Sequence, residues 1–259
     1  MDLNTDKLPD FIVCGFQKCG TSALSQNLNQ HSDISIARTS HVKANLSHGK
    51  EINFFAFEKM VTSTHYMGID WYKRHFKNDG KLWGYCSPNY TSAWPHKVVE
   101  LMSRHLKSTK FVFSIRNPIY RTFSTYNHYR QLLNENIKFG SWEVDKNFIY
   151  NVKYKSDNFC INYVDVLKLY ENAFGRDKLH IMNQEKLYST ASQDEYNKLF
   201  NFLNVDKQVI KNNDCHSRYY NRGIKTEEIE YLKDLYVDQV NRLFDYLGYE
   251  IKEWKEFVK

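Results

Sequence analysis

Phe11-Ile12-Val13-Cys14-Gly15-Phe16-Gln17-Lys18-Cys19-Gly20-Thr21-Ser22-Ala23-Leu24 passes from an apolar segment through a glycine-bracketed loop into a helix-forming segment. Phe11 to Cys14 is apolar throughout, which predicts a short buried strand. Gly15 and Gly20 bracket a tight loop. Thr21 and Ser22 then lead into Ala23-Leu24-Ser25-Gln26-Asn27-Leu28, the expected first helix. Strand, loop and helix N-terminus together make an anion cradle, because backbone N–H groups converge there and the helix dipole favours negative charge.

The place of the lysine narrows the anion. A nucleoside-triphosphate loop reads G-x-x-x-x-G-K-[ST], with Lys after the second glycine and a hydroxyl on magnesium. Here Thr21 follows Gly20, and the lysine, Lys18, lies inside the loop. The pattern predicts a phosphate cradle for a nucleotide with less phosphate to neutralise and no evident magnesium ligand.

The remaining composition sets outer bounds. At 259 residues and 31.0 kDa the chain suits one domain spanning 1–259. A hydrophobic content of 42% is enough for a core, and no apolar run approaches the roughly 18 residues needed to cross a bilayer. The polar, acidic start Met1-Asp2-Leu3-Asn4-Thr5-Asp6 is unlike a secretory signal. The expectation is a soluble cytoplasmic chain, with the catalytic part of an anchored luminal enzyme as the alternative. A formal charge of +6 and a pI near 8.8 fit an anionic nucleotide or an acidic acceptor, with no nucleic-acid partner expected. Five cysteines, Cys14, Cys19, Cys86, Cys160 and Cys215, lack metal spacing and are odd in number, so no metal site is expected and a reducing compartment is the simplest reading. Cys19 in the anion loop reads as a small packing residue rather than a reactive thiol.

Further along, Ile34 to Ala37 reads as a second strand, and polar Arg38 to Gly49, with His41 and His48, as a loop. Lys50-Glu51-Ile52-Asn53-Phe54-Phe55 couples a charged pair to two aromatics, as expected of a segment that packs while presenting one acidic side chain. A short helix is expected over 68–76. Trp83-Gly84-Tyr85-Cys86-Ser87-Pro88-Asn89-Tyr90 reads as a strand ending at a turn, because Pro88 cannot donate to a ladder. A helix over 98–106 leads to the strand Phe111-Val112-Phe113-Ser114-Ile115, which stops at Arg116-Asn117-Pro118. The next helix starts near Ile119 and carries Arg121, Ser124 and His128. Helices over 159–174, 195–203 and 226–247, a strand over 178–182 and a basic stretch over 212–225 complete the chain. Thr226 reads as the N-cap of the last helix. Strands alternating with helices predict an α/β fold with a central, largely parallel sheet flanked by helices. In such folds, ligands sit at the carboxyl edge of the strands.

Taken in order, these segments resemble the sulfotransferases that use 3′-phosphoadenosine 5′-phosphosulfate (PAPS), most of all the heparan sulfate N- and O-sulfotransferase branch and its bacterial relatives. The resemblance rests on the loop Gly15 to Ser22, Lys50-Glu51-Ile52-Asn53-Phe54-Phe55, Gly68-Ile69-Asp70-Trp71-Tyr72, Ser87-Pro88-Asn89-Tyr90, and Arg116 to Tyr126. It implies a P-loop-containing three-layer fold and a set of roles. Gln17, Lys18, Cys19, Gly20, Thr21, Ser22 and Ala23 would hold the 5′-phosphosulfate, with Lys18 on the leaving-group oxygen. Arg116 and Ser124 would hold the 3′-phosphate, and Glu51 would be the general base. Arg222, Gly223 and Lys225 resemble a basic loop closing over the donor phosphates. Adenosine 3′,5′-bisphosphate (PAP) would be the product, and no metal is expected. The acceptor would be a hydroxyl or amine of a carbohydrate, lipid or small molecule.

The chain also departs from that pattern. Tyr85-Cys86 stands where the heparan-type enzymes carry Glu-Lys, Asn53 stands where the 3-O-sulfotransferase pattern has His, and Cys215 has no close cysteine partner. These changes leave the donor chemistry intact and argue against a heparan-like acceptor. Two other function classes share the loop: a nucleotide kinase or NTPase, and a nucleotide-binding protein without turnover.

Overall fold

The computed structural model describes residues 7–40, 49, 51–57, 60, 62–92, 94–134, 144–155, 159–212 and 222–258. Lys50, His41, His48, Cys215 and Arg218 lie outside them. The chain forms two compact units, one of residues 1–115 with 166–216, the other of residues 116–165 with 217–259.

The first unit holds a five-stranded parallel sheet: β1 (Phe11–Gly15), β2 (Ile34–Ile36), β3 (Leu82–Cys86), β4 (Lys110–Ile115) and β5 (Leu179–Asn183), in the order β2-β3-β1-β4-β5. β1 is central because it is apolar at every position and buried on both faces, as interior strands of parallel sheets are. Ile12 stands opposite Tyr85 on one side and Phe111 on the other. Side chains alternate across the strand. Phe11 and Val13 share a core cluster with Leu24 and Leu28 of α1 (Thr21–Leu28), Val112 and Met182. On the opposite face, Phe111 and Phe113 pack edge-on against Tyr170, at ring separations of 5.4 and 5.0 Å.

The helices of this unit are α1, α2 (Ile69–Lys73) and α3 (Pro95–Ser103), followed later in the chain by the short α7 (Gln184–Leu187) and α8 (Ser192–Leu203). α2 is shorter than the span expected from sequence, and only its Tyr72 is fully buried, whereas Trp71 is half-buried and packs on His75. α6 (Tyr163–Phe174) crosses the unit boundary and ends at Gly175, whose φ of 92° suits a residue without Cβ. It starts four residues later than its apolar pattern suggests.

The second unit is helical: α4 (Pro118–Asn134), α5 (Phe148–Tyr154) and α9 (Thr226–Leu247). Asn117 starts α4 by accepting from the Ile119 N–H at 3.1 Å, with Pro118 at the first helical position, where its missing donor costs nothing. α9 is capped at Lys225 rather than Thr226. The carboxylate of Glu228 accepts from the Lys225 N–H at 2.9 Å, which moves the helix start back by one residue. Around these helices pack Phe123, Tyr126 and Phe148, and Trp254 against Phe244 and Tyr163.

Candidate active site

The loop after β1 lies at the carboxyl edge of the sheet and is tied down on both sides. The Phe16 N–H donates to the Ser114 carbonyl at 2.8 Å, and Ser114 Oγ donates to the Cys19 carbonyl at 2.6 Å. On the other side Cys86 Sγ reaches the Thr21 carbonyl at 3.6 Å. Gly20 caps α1 at φ 76°, ψ 14°, the left-handed region where a side chain is disfavoured. A Cβ there would also meet Gln184 Cγ at 3.1 Å and the Tyr188 hydroxyl at 3.3 Å. Lys18 itself adopts φ 66°. A non-glycine residue held there costs about 1–3 kcal/mol, and such residues gather at functional sites. The N-terminus of α1 therefore follows a loop bonded to both β4 and β3, and a helix N-terminus of this kind suits an anion.

Gln17, Lys18, Gly20 and Ser22 are half-buried, while Cys19, Thr21 and Ala23 are buried. The Cys19 thiol points inward to the Gln17 carbonyl at 3.6 Å, in keeping with a packing role.

Glu51 is only 8% exposed, and side-chain amides hold it. Asn89 Nδ2 donates to Glu51 Oε2 at 3.1 Å, and Asn53 Nδ2 approaches the same oxygen at 3.5 Å. Asn89 Nδ2 also donates to Asn53 Oδ1 at 3.3 Å, and Asn89 Oδ1 accepts from Gln17 Nε2 at 2.7 Å. The loop that carries Lys18 and the segment that carries Glu51 thus meet through one asparagine. Asn89 had no assigned role in the sequence. Its one signal is that it follows Pro88 where β3 ends, at the edge where ligands sit.

The segment bearing Glu51 is pinned from below. The Asn53 N–H donates to Ser87 Oγ at 3.2 Å, and the Phe55 N–H donates to the Tyr90 hydroxyl at 3.1 Å. Thr64 Oγ1 donates to the Ile52 carbonyl at 2.7 Å. Behind Tyr90 runs a buried file of phenols, Tyr90 to Tyr85 at 3.0 Å and Tyr85 to Tyr72 at 3.0 Å. Burial, then the neighbouring phenols, push Tyr85 well above the ordinary tyrosine range, and burial pushes Tyr72 the same way. These hydroxyls are neutral donors and acceptors at any working pH. The two positions that depart from the heparan-type Glu-Lys face inward: Tyr85 joins this file, and Cys86 sits in the core below α1.

In the second unit, Arg116 follows directly on β4 and is half-buried. The Tyr163 hydroxyl clamps its backbone, accepting from the Arg116 N–H at 3.3 Å and donating to the Arg116 carbonyl at 2.6 Å. Ser124 is buried two turns into α4. Glu256 accepts from Asn117 Nδ2 at 2.8 Å and from the Tyr120 hydroxyl at 2.7 Å, fixing the start of α4. Burial, then the Glu256 carboxylate, push the Tyr120 phenol up to about 12. Arg222 forms a two-pronged pair with Glu228 and lies over the Phe123 ring at 5.1 Å, while Gly223 and Lys225 are exposed. Among the described residues no cluster of three or more His, Cys, Asp or Glu stands ready for a metal ion, and no helix is long and apolar enough to cross a membrane.

Comparison with known proteins bears on this arrangement. Membrane-associated sulfotransferase kil1 of Dictyostelium discoideum is 33% identical over 134 residues, which is 50% of this chain and 25% of that protein. Heparan sulfate glucosamine 3-O-sulfotransferase 5 of Mus musculus is 27% identical over 216 residues, 80% of this chain and 56% of that protein. The chain thus spans about a quarter and about half the length of these relatives. The crystal structure of a sulfotransferase from Alicyclobacillus acidocaldarius matches with a TM-score of 0.72 at 20% identity, covering 96% of this chain and 99% of that one, a likeness of fold. The sulfotransferase domain family matches residues 8–244, which take in the loop, all five strands, Glu51, Arg116 and Arg222. A match of that extent is no borrowed fragment, and the chain belongs to the sulfotransferase domain family.

Proposed function

We propose that residues 1–259 act as one domain that transfers the sulfuryl group of PAPS to a hydroxyl or amine of a carbohydrate, lipid or small-molecule acceptor. Gln17 to Ala23 receive the 5′-phosphosulfate. Arg116 and Ser124 receive the 3′-phosphate, for which a guanidinium fork and a hydroxyl are suited. Arg222, Gly223 and Lys225 are assigned to the donor phosphates as well. The acceptor oxygen or nitrogen attacks sulfur in line and gives its proton to the Glu51 carboxylate. The bond between sulfur and the bridging oxygen breaks, and PAP leaves with the electron pair. Lys18 places its ammonium on that oxygen as negative charge grows there. The step uses no metal ion, because Lys18 carries the leaving-group charge.

The observation that carries this reading is the link from Gln17 through Asn89 to Glu51, which puts an acidic side chain in the same bonded network as the loop bearing Lys18. The relatives named as heparan sulfate enzymes favour a carbohydrate acceptor. Tyr85 and Cys86, in place of the heparan-type Glu-Lys, turn into the core and put no basic side chain toward an acceptor, which argues against a heparan-like one.

The test is transfer of label from radioactive PAPS to a panel of polysaccharides, glycolipids and phenols, using the wild type, Lys18→Ala and Glu51→Ala. Transfer by the wild type and its loss in both variants is the expected result. Full turnover by Lys18→Ala overturns the mechanism. Calorimetry with PAP and with ATP–magnesium separates this reading from a nucleotide kinase. Tight PAP binding with no transfer to any acceptor points to a binding protein without turnover.

A further inference from the structure

We infer that Asn89 is a positioning residue that ties Glu51 to the donor loop, so that the carboxylate and the loop are set by one amide. The inference rests on the proposed role of Glu51 as base and adds a residue that this role depends on. Asn89 spans two partners far apart in sequence, Gln17 and Glu51, with its oxygen at 2.7 Å from one and its nitrogen at 3.1 Å from the other.

The direction of the amide follows from chemistry. An ionised carboxylate only accepts hydrogen bonds, so the nitrogen of Asn89 must face Glu51. Its oxygen must then face Gln17, which in turn must present its own nitrogen. Reversing Asn89 would set oxygen against carboxylate and N–H₂ against N–H₂. The ionised Glu51 therefore dictates the orientation of the Gln17 side chain, one residue before Lys18, through Asn89.

The backbone gives Asn89 little freedom to leave. Pro88 holds a fixed φ just before it, in the turn Pro88–Thr91. Ser87, two residues before it, and Tyr90, directly after it, both bond to the backbone of the Glu51-bearing segment, at Asn53 and Phe55. Both neighbours are fully buried. The amide is thus carried on a frame that moves with residues 51–55.

The experiment is nuclear magnetic resonance of the side-chain amides in protein labelled with ¹⁵N at Asn and Gln, which requires no acceptor. Glu51→Ala is expected to shift the Gln17 side-chain amide resonances in the wild-type background and to leave them unmoved in Asn89→Leu. Should Asn89→Leu fail to fold, Asn89→Ser serves, since its side chain is too short to span both partners. A Gln17 signal indifferent to Glu51→Ala, or one that responds equally with Asn89 removed, overturns the tie. A residue serving only the turn would leave Gln17 blind to Glu51. Retained sulfuryl transfer in Glu51→Ala with the Gln17 response intact removes the base and keeps the tie. Lost transfer in Glu51→Ala without the response keeps the base and removes the tie.

Discussion

Arg222 grips Glu228 through two parallel hydrogen bonds, Nη1 to Oε2 at 2.8 Å and Nη2 to Oε1 at 2.7 Å. Fork-on-fork pairs of this kind are among the stronger protein hydrogen bonds. Burial alone would raise the Glu228 carboxyl, but the hydrogen bonds from Arg222 and from the Lys225 N–H, together with the charge of both residues, outweigh it and hold the group below the ordinary glutamate range. Its folded value is lower than its unfolded one, so the pair stabilises the fold at neutral pH, and that contribution is lost as pH falls below the usual carboxylate range. Glu228→Ala should lower stability by about 1–2 kcal/mol at pH 7, since the pair is only partly buried. The difference between the two proteins should shrink in acid. Urea midpoints at pH 7 and pH 3.5 check both statements.

Lys18 is held in the left-handed region inside the loop after β1. Replacing it by alanine should cost about 3–4 kcal/mol of transition-state stabilisation, a loss of roughly 10²–10³ in kcat, by analogy with removal of an oxyanion donor. The thermal midpoint should change little, because the side chain is half-buried at the loop surface. Single-turnover kinetics with PAPS separate this loss from weaker donor binding.

The phenol of Tyr85 stands between those of Tyr72 and Tyr90 at 3.0 Å on either side. Tyr85→Phe keeps the ring, removes the hydroxyl to which buried Tyr72 donates and takes one partner from Tyr90, which keeps the Phe55 N–H, at a cost of about 1–3 kcal/mol. All three phenols are raised in the folded protein, mainly by burial. Their contribution to stability is therefore present below the unfolded value of about 10 and lost as pH rises above it. An alkaline titration followed at 295 nm should show these tyrosines ionising only as the protein unfolds, and a gradual ionisation before unfolding would contradict the buried file.

Gly84 faces the ring of Phe11 so closely that a Cβ would lie 2.4 Å from it. Phe11 is fully buried in the central strand, so its ring has no solvent to retreat into. Gly84→Ala should destabilise by about 1–3 kcal/mol, the usual cost of overfilling a packed core. Chemical denaturation reads the effect, and Phe11→Leu in the same protein should recover part of it.

Much of this molecule is legible along the chain. All five strands lie within a residue or two of the expected positions, and β1 and β4 most plainly, because a strand buried on both faces must be apolar almost throughout. α9 is legible for a similar reason, since a long amphipathic face repeats often enough to be read. The start of α6 is not, because its apolar period continues upstream into residues that the fold uses otherwise: Phe159, four residues before the helix begins, offers its carbonyl to Arg121 Nη1 at 2.7 Å. The pairing of Arg222 with Glu228, six residues on, has no local signal either.

By itself the sequence determined the α/β class, the glycine-bracketed loop with its displaced lysine, and the family, since these depend on residue type and local spacing. Tertiary structure alone decided that Asn89 stands between Gln17 and Glu51, and that Tyr85 and Cys86 turn inward. The physical reason is distance along the chain. Gln17 and Asn89 are 72 residues apart, and Asn89 and Glu51 are 38 apart. They meet because β1 and β3 pair in parallel, with Val13 opposite Cys86, so that both chains leave the sheet at the same edge. A one-residue slip in that register would turn every side chain of β3 to the other face. No local pattern records the register, and the fold sets it.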